Sequence, residues 1–195
     1  MKAYYEKRAP EYDDWYLGTG RFAARDRPGW NEELDTLRTA LEALPPSRTL
    51  DVACGTGFLT RHLPGEIVGL DQSQAMLDEA RVQAPNATYV VGDALALPFS
   101  DNEFDRIFTA SFYGHLEGAD RETFLRKTRR VAPELVVADA ALRPDVEPEE
   151  RQERILNDGS RWEVYKRYFD PEALARELGG GRVLHAGRWF VVVQA

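Results

Sequence analysis

The chain has 195 residues, 43% of them hydrophobic, a net charge of −8 and one cysteine, Cys54. This length and composition suit one globular domain, spanning 1–195, with a sizeable core. A lone cysteine excludes an internal disulfide, and the acidic balance argues against a phosphate-dominated nucleic-acid partner. No apolar run approaches the ~18 residues of a membrane span, and the opening MKAYYEKRAPEYDD has no apolar leader segment. A cytoplasmic protein, monomeric or homodimeric, is expected.

In chain order, residues 1–30 are aromatic and charged without a clean period, which reads as irregular helix and loop covering something. Asn31 is placed to cap a helix whose Leu34, Leu37, Leu41 and Leu44 follow a 3.6-residue period, stopped by Pro45 and Pro46. Strands are expected at Thr49–Ala53, Glu66–Asp71, Thr88–Gly92, Phe104–Ser111 and Leu135–Ala138. They are apolar runs more than alternating patterns, as in a sheet buried on both faces. A helix capped by Ser73 runs to Ala84, and one capped by Asp120 runs to Val131. The second carries Arg121, Arg126, Lys127, Arg129 and Arg130, read as a solvated face. Strands alternating with helices imply a parallel sheet with right-handed crossovers.

Residues 141–169 are charged and aromatic, and a helix is expected from Pro148 to Leu156. Asp170-Pro171 supplies an N-cap and a first-turn proline for a helix to Leu178, ended by Gly179, Gly180 and Gly181. Arg182–His185 and Arg188–Gln194 read as a closing hairpin over Ala186-Gly187.

The most informative stretch is Leu50-Asp51-Val52-Ala53-Cys54-Gly55-Thr56-Gly57-Phe58, where a strand runs into a glycine turn with a helix expected after it. Gly55 and Gly57 allow close backbone approach to a ligand, and in open α/β sheets ligands sit beyond the carboxyl ends of the strands. Asp71 ends the second strand, where a carboxylate can accept from both ribose hydroxyls of a nucleoside. Asp93 follows the third strand and can accept from an exocyclic adenine amine, while the Ala94 amide can donate to a ring nitrogen. The dinucleotide fingerprint fails, because Thr60 stands at its third glycine position and Asp71 comes early. No P-loop sequence is present, and the scattered His62, His115 and His185 give no metal site.

The segments LDVACGTG, VGLDQS with Met76, and VVGDALALPF resemble motifs I, II and III of class I S-adenosylmethionine-dependent methyltransferases, close to the ubiquinone/menaquinone-biosynthesis type, over about residues 48–140. The resemblance implies a Rossmann-like α/β fold, with a seven-stranded, mostly parallel sheet, helices on both faces and a C-terminal antiparallel hairpin. It implies S-adenosylmethionine (SAM) as cofactor, S-adenosylhomocysteine (SAH) as product and no metal. By the same resemblance Ala53, Gly55, Thr56 and Gly57 line the methionine moiety. Asp71 holds the ribose with Gln72 beside it, Met76 packs near the adenine, and Asp93 and Ala94 read it. Ser111 lies near the amino-acid end, and Tyr5, Arg8 and Tyr12 resemble the family's N-terminal element that folds over the cofactor.

These motifs fix the donor and leave the acceptor open. The pocket for it is expected past the fourth strand, in Ser111-Phe112-Tyr113-Gly114-His115-Leu116, with residues 141–169 as one wall and residues 1–30 as a lid. His115 is the first general-base candidate there and Tyr113 a second. The Asn/Asp-Pro-Pro-Tyr signature of base and amide nitrogen methylation is absent. A small-molecule acceptor is therefore the expectation. The alternatives are a non-catalytic SAM-binding module and an RNA or protein methyltransferase.

Overall fold

The computed structural model describes residues 1–195. Its strands in chain order are β1 (Ser47–Val52), β2 (Gly65–Asp71), β3 (Thr88–Val91), β4 (Arg106–Ala110), β5 (Glu134–Ala140), β6 (Glu149–Ile155), β7 (Arg161–Arg167), β8 (Arg182–Ala186) and β9 (Phe190–Gln194). Seven of them form one sheet in the order β3-β2-β1-β4-β5-β9-β8. The first five are parallel, and β9 runs antiparallel to both β5 and β8. The helices are α1 (Lys2–Arg8), α2 (Asp14–Leu17), α3 (Trp30–Glu42), α4 (Gln74–Gln83), α5 (Gly118–Val131) and α6 (Pro171–Glu177).

Alternate residues of each strand feed two cores. Ile107, Val137, Val191 and Val193 pack with Phe124 of α5 and Leu174 of α6. Phe108, Val136, Ala138 and Val192 face the other way, onto Leu34, Leu37 and Leu41 of α3. Both sides of these strands are apolar, and the helices lie on both faces. Each fully buried Leu or Phe contributes about 1.5–3 kcal/mol. The caps follow the sequence at two places. Ser73 Oγ accepts from the Met76 amide, and Asp170 Oδ1 accepts from the Ala173 amide.

Four local expectations are corrected. First, α3 begins at Trp30 behind Gly29 in the left-handed conformation (φ 75°), so Asn31 lies inside the helix. Second, α5 begins at Gly118 after Glu117, with no side-chain cap, so Asp120 sits in its first turn. Third, the glycine turn leads only to a short 3-10 turn, Thr60–His62. Fourth, residues 149–155 form strand β6, paired antiparallel with β7 over a turn that includes Gly159 at φ 82°. The run EERQERI favours a helix locally, but pairing with β7 wins. The basic face of α5 is also less free than expected. Arg129 donates to the Leu178 carbonyl, and Arg130 donates to the Leu97 and Phe99 carbonyls.

The β6–β7 hairpin meets α1 through a small apolar cluster of Tyr4, Leu156 and Val164, flanked by Tyr5 and Trp162. The N-terminal segment is pinned onto the sheet's carboxyl edge by acidic side chains. Glu6 accepts from the Gln74 and Ala75 amides at the α4 N-terminus, where a carboxylate complements the helix dipole. Asp13 accepts from Thr56 Oγ1 at 2.5 Å and from Gln83. Tyr16 stacks on Phe58 with ring centroids 4.3 Å apart. No helix is long and apolar enough to cross a membrane.

Candidate functional site

Four consecutive parallel strands end at one crevice. In the turn after β1, Ala53 has φ 60° and Gly55 φ 55°, and Ser111 after β4 has φ 52°. Ala53 and Ser111 are uncommon as non-glycine residues in the left-handed region, a strain that concentrates at binding sites. At Gly55 a Cβ would lie 3.6 Å from the Tyr12 ring, so the turn runs directly beneath the N-terminal segment.

Asp71 organises this turn. Its Oδ2 accepts from the Gly55 amide at 3.0 Å and its Oδ1 from the Ser73 amide at 2.9 Å. The carboxylate is 8% exposed, and burial raises its pKa. Each oxygen retains acceptor capacity toward the crevice. Asp93 is exposed, and its Oδ1 accepts from the Leu95 amide at 2.8 Å.

The crevice encloses about 500 Å³, within the roughly 300–1,000 Å³ of small-molecule sites. Its lining includes Tyr5, Tyr12, Ala53, Gly55, Asp71 and Gln72, together with Met76, Asp93, Ala94, Ser111 and His115. Ten of the residues singled out from sequence for cofactor contact thus share one cavity. Three do not. Gly57 (φ 76°) packs against helix α4, where a Cβ would meet Ala80 Cα at 3.2 Å. Thr56 spends its hydroxyl on Asp13. Arg8 lines a different cavity.

That second cavity, of about 330 Å³, lies under the N-terminal segment and the β6–β7 hairpin. It shares Tyr5, Tyr12, Ser111, His115 and Val164 with the first. Most of its walls come from the two segments expected to cover the acceptor, residues 1–30 and 141–169, while Ala140 and Trp189 lie outside them. The signal for those segments was their aromatic and charged composition, and Trp189 carried no such signal because it sits in the closing hairpin.

His115 stands at the junction. Its Nδ1 lies 2.6 Å from the Tyr165 carbonyl, so Nδ1 carries the proton and donates. Burial, helped by the nearby Lys166 ammonium, lowers its pKa to about 3. The ring is therefore neutral at ordinary pH, with Nε2 left as an acceptor. The expectation for Tyr113 is corrected. It is fully buried away from both cavities, and its hydroxyl donates to Glu177 at 2.7 Å. Burial raises the pKa of Tyr5, Tyr12 and the Cys54 thiol, so all three stay protonated.

The strand order and the crevice at its carboxyl edge define a nucleoside-binding α/β class, and comparisons with known proteins agree. Residues 49–134 match the family model described as a methyltransferase domain. A demethylmenaquinone methyltransferase from Thermotoga maritima is 42% identical over 91 residues, 44% of this chain and 39% of the relative. A ubiquinone/menaquinone biosynthesis C-methyltransferase from Dinoroseobacter shibae is 36% identical over 121 residues, 56% of this chain and 44% of the relative. The chain spans about two fifths of the length of these curated relatives. The solved structure of DhpI in complex with SAH superposes with a TM-score of 0.72 at 27% identity, covering 98% of this chain and 92% of that one. The chain is thus similar to methyltransferase domains over residues 49–134, its curated relatives over that stretch include ubiquinone/menaquinone-biosynthesis methyltransferases, and it shares its whole fold with DhpI, solved with SAH.

Proposed function

We propose that this domain binds SAM in the larger crevice and directs its methyl group to a small-molecule acceptor in the adjoining cavity. One observation carries the reading: the crevice gathered by four strand ends shares Tyr5, Tyr12, Ser111, His115 and Val164 with a second, smaller cavity of different chemistry. The residues fit the cofactor. A buried carboxylate with spare acceptor capacity, a glycine turn held at positive φ and an exposed Asp93 beside the Ala94 amide suit ribose, amino-acid chain and adenine in turn. DhpI, similar over nearly its whole length, has been solved with SAH.

SAM supplies a methyl group already activated on a sulfonium. The protein's own work is alignment and exclusion of water, and alignment of this kind contributes about 7–11 kcal/mol. Asp71 accepts from the ribose hydroxyls, Asp93 from the adenine amine, and Tyr5 and Tyr12 close the crevice from above. Neutral His115 offers Nε2 as a hydrogen-bond acceptor at the junction and orients the acceptor without taking its proton. Residues 1–30 act as the lid, and residues 141–169 form the far wall of the acceptor cavity.

Calorimetric titration with SAH tests the cofactor assignment, and saturable binding is expected. Absence of heat and of any thermal shift at millimolar SAH would remove it. Labelled-methyl transfer into metabolite extracts, whole RNA and whole protein tests the acceptor class. Label is expected only in the metabolite fraction, and binding without transfer would favour a non-catalytic module.

A further inference from the structure

We infer that the second cavity is an oxyanion site, and that the methyl acceptor is a small organic acid held there through its negatively charged group by Arg8 and Arg154. The acceptor role rests on the methyltransferase reading above; the anion site rests on its own side chains.

The cavity reverses the charge of the molecule. In a chain of net charge −8, its lining carries six cations, Arg8, Arg25, Arg27, Arg143, Arg154 and Lys166, against the two carboxylates Asp26 and Asp145. Two of the six are already neutralised. Lys166 pairs with Asp139 at 2.6 Å, and Arg143 pairs with Asp145 at 3.2 Å. Arg8 and Arg154 have no such partner. Arg8 is 8% exposed, its Nε is buried without any hydrogen-bond partner, and its only side-chain bond is to the neutral Tyr4 hydroxyl. The guanidinium carbon lies 5.2 Å from the centre of the Tyr12 ring, which lines both cavities. Arg154 bonds only to the neutral Gln152 amide, and burial weakens its hold on its proton.

Carboxylates do lie behind these arginines, in an outer groove, but they are engaged elsewhere. Glu11 accepts from the Asn157 amide, Asp14 from Thr19, and Glu153 pairs with Arg161. A desolvated cation without a counter-charge is costly, and two facing one cavity are stabilised by an anion entering it. Guanidinium forks match the oxygens of carboxylates and phosphates in pairs. An ionised oxygen of such an acid needs no base before it attacks: its bond to the methyl carbon forms as the methyl–sulfonium bond breaks, giving the methyl ester and neutral SAH, which agrees with the neutral His115 that lines both cavities.

The experiment uses the full chain, with and without saturating SAH, and measures binding of methyl phosphate and of acetate by calorimetry. Their neutral counterparts, trimethyl phosphate and acetamide, serve as controls. Saturable binding of at least one anion, weakened by added salt and absent for its neutral counterpart, is expected; comparison of the two anions shows which oxyanion class the site takes. Arg154→Gln should weaken the anion at least about tenfold while SAH affinity stays unchanged, and Arg154→Lys should recover part of the loss. Equal binding of charged and neutral probes, no anion binding, or an unaltered Arg154→Gln overturns the inference. Should that variant fail to fold, the charged-against-neutral comparison in the unaltered chain still decides. Anion binding without SAH binding would remove the cofactor reading and leave this site. SAH binding without anion binding would do the reverse.

Discussion

Replacing Asp71 with alanine is the most direct perturbation of the cofactor crevice. The carboxylate already holds two backbone amides, Gly55 at 3.0 Å and Ser73 at 2.9 Å, and is 8% exposed. Two ribose hydroxyls donating to it are worth about 1.5–3 kcal/mol each before competition with water is subtracted. A net loss of about 3 kcal/mol corresponds to roughly a hundredfold weaker SAH binding. The same substitution strands the Gly55 and Ser73 amides, so a stability loss of about 1–3 kcal/mol accompanies it. Asp71→Asn separates the two effects, because it keeps one carbonyl acceptor and should cost about tenfold in affinity. Calorimetry with SAH gives the affinities, and thermal unfolding monitors the fold. A folded Asp71→Ala protein that binds SAH within about threefold of the unaltered chain would refute the ribose assignment.

Other consequences follow from buried groups. His115→Gln should retain methyl transfer within about tenfold, and the pH–rate profile of the unaltered chain should show no limb near 6.5 from this residue. Its folded pKa of about 3 lies below its unfolded value, so its contribution to stability is full above about pH 6.5 and falls as pH drops toward 3. The stability gap between the unaltered chain and His115→Gln should therefore narrow on acidification in urea titrations. Asp51 runs the other way. It is buried, only Thr60 donates to it, and its pKa is pushed up to about 7 by burial. The folded state thus holds a proton that the unfolded state releases near pH 4, and stability is lost as pH rises from about 4 to 7. Asp51→Asn should raise the unfolding temperature most at pH 8, by less at pH 5, and by little below pH 4, relative to the unaltered chain. Phe124→Ala removes a fully buried ring between α5 and the sheet and should cost about 3–5 kcal/mol in denaturant unfolding.

The parallel half of the fold was legible because its signals are local. The strand runs at Glu66–Asp71 and Leu135–Ala138, the caps Ser73 and Asp170, and the stop at Pro45 each act within a few residues. The crevice was legible for the same reason where strand ends border it, as at Ala53, Asp71 and Asp93. Whatever depends on distant partners was not. EERQERI reads as a helix until Arg161–Arg167 is placed beside it. Arg8 belongs to the second cavity because Arg154 and Gln152 come from a hairpin more than a hundred residues away in sequence. The lowered pKa of His115 likewise depends on burial and on Lys166, fifty-one residues further along the chain.

The position of β9 also constrains how the chain folds. Residues 190–194 fill the slot between β5 and β8, so during synthesis the outer edge of β5 presents a row of unsatisfied amides and carbonyls until they emerge. An open edge of that kind is a template for pairing with another molecule, and long sequence separation between partners slows its closure. The interval before those residues leave the ribosome is where aggregation of the nascent chain competes with folding.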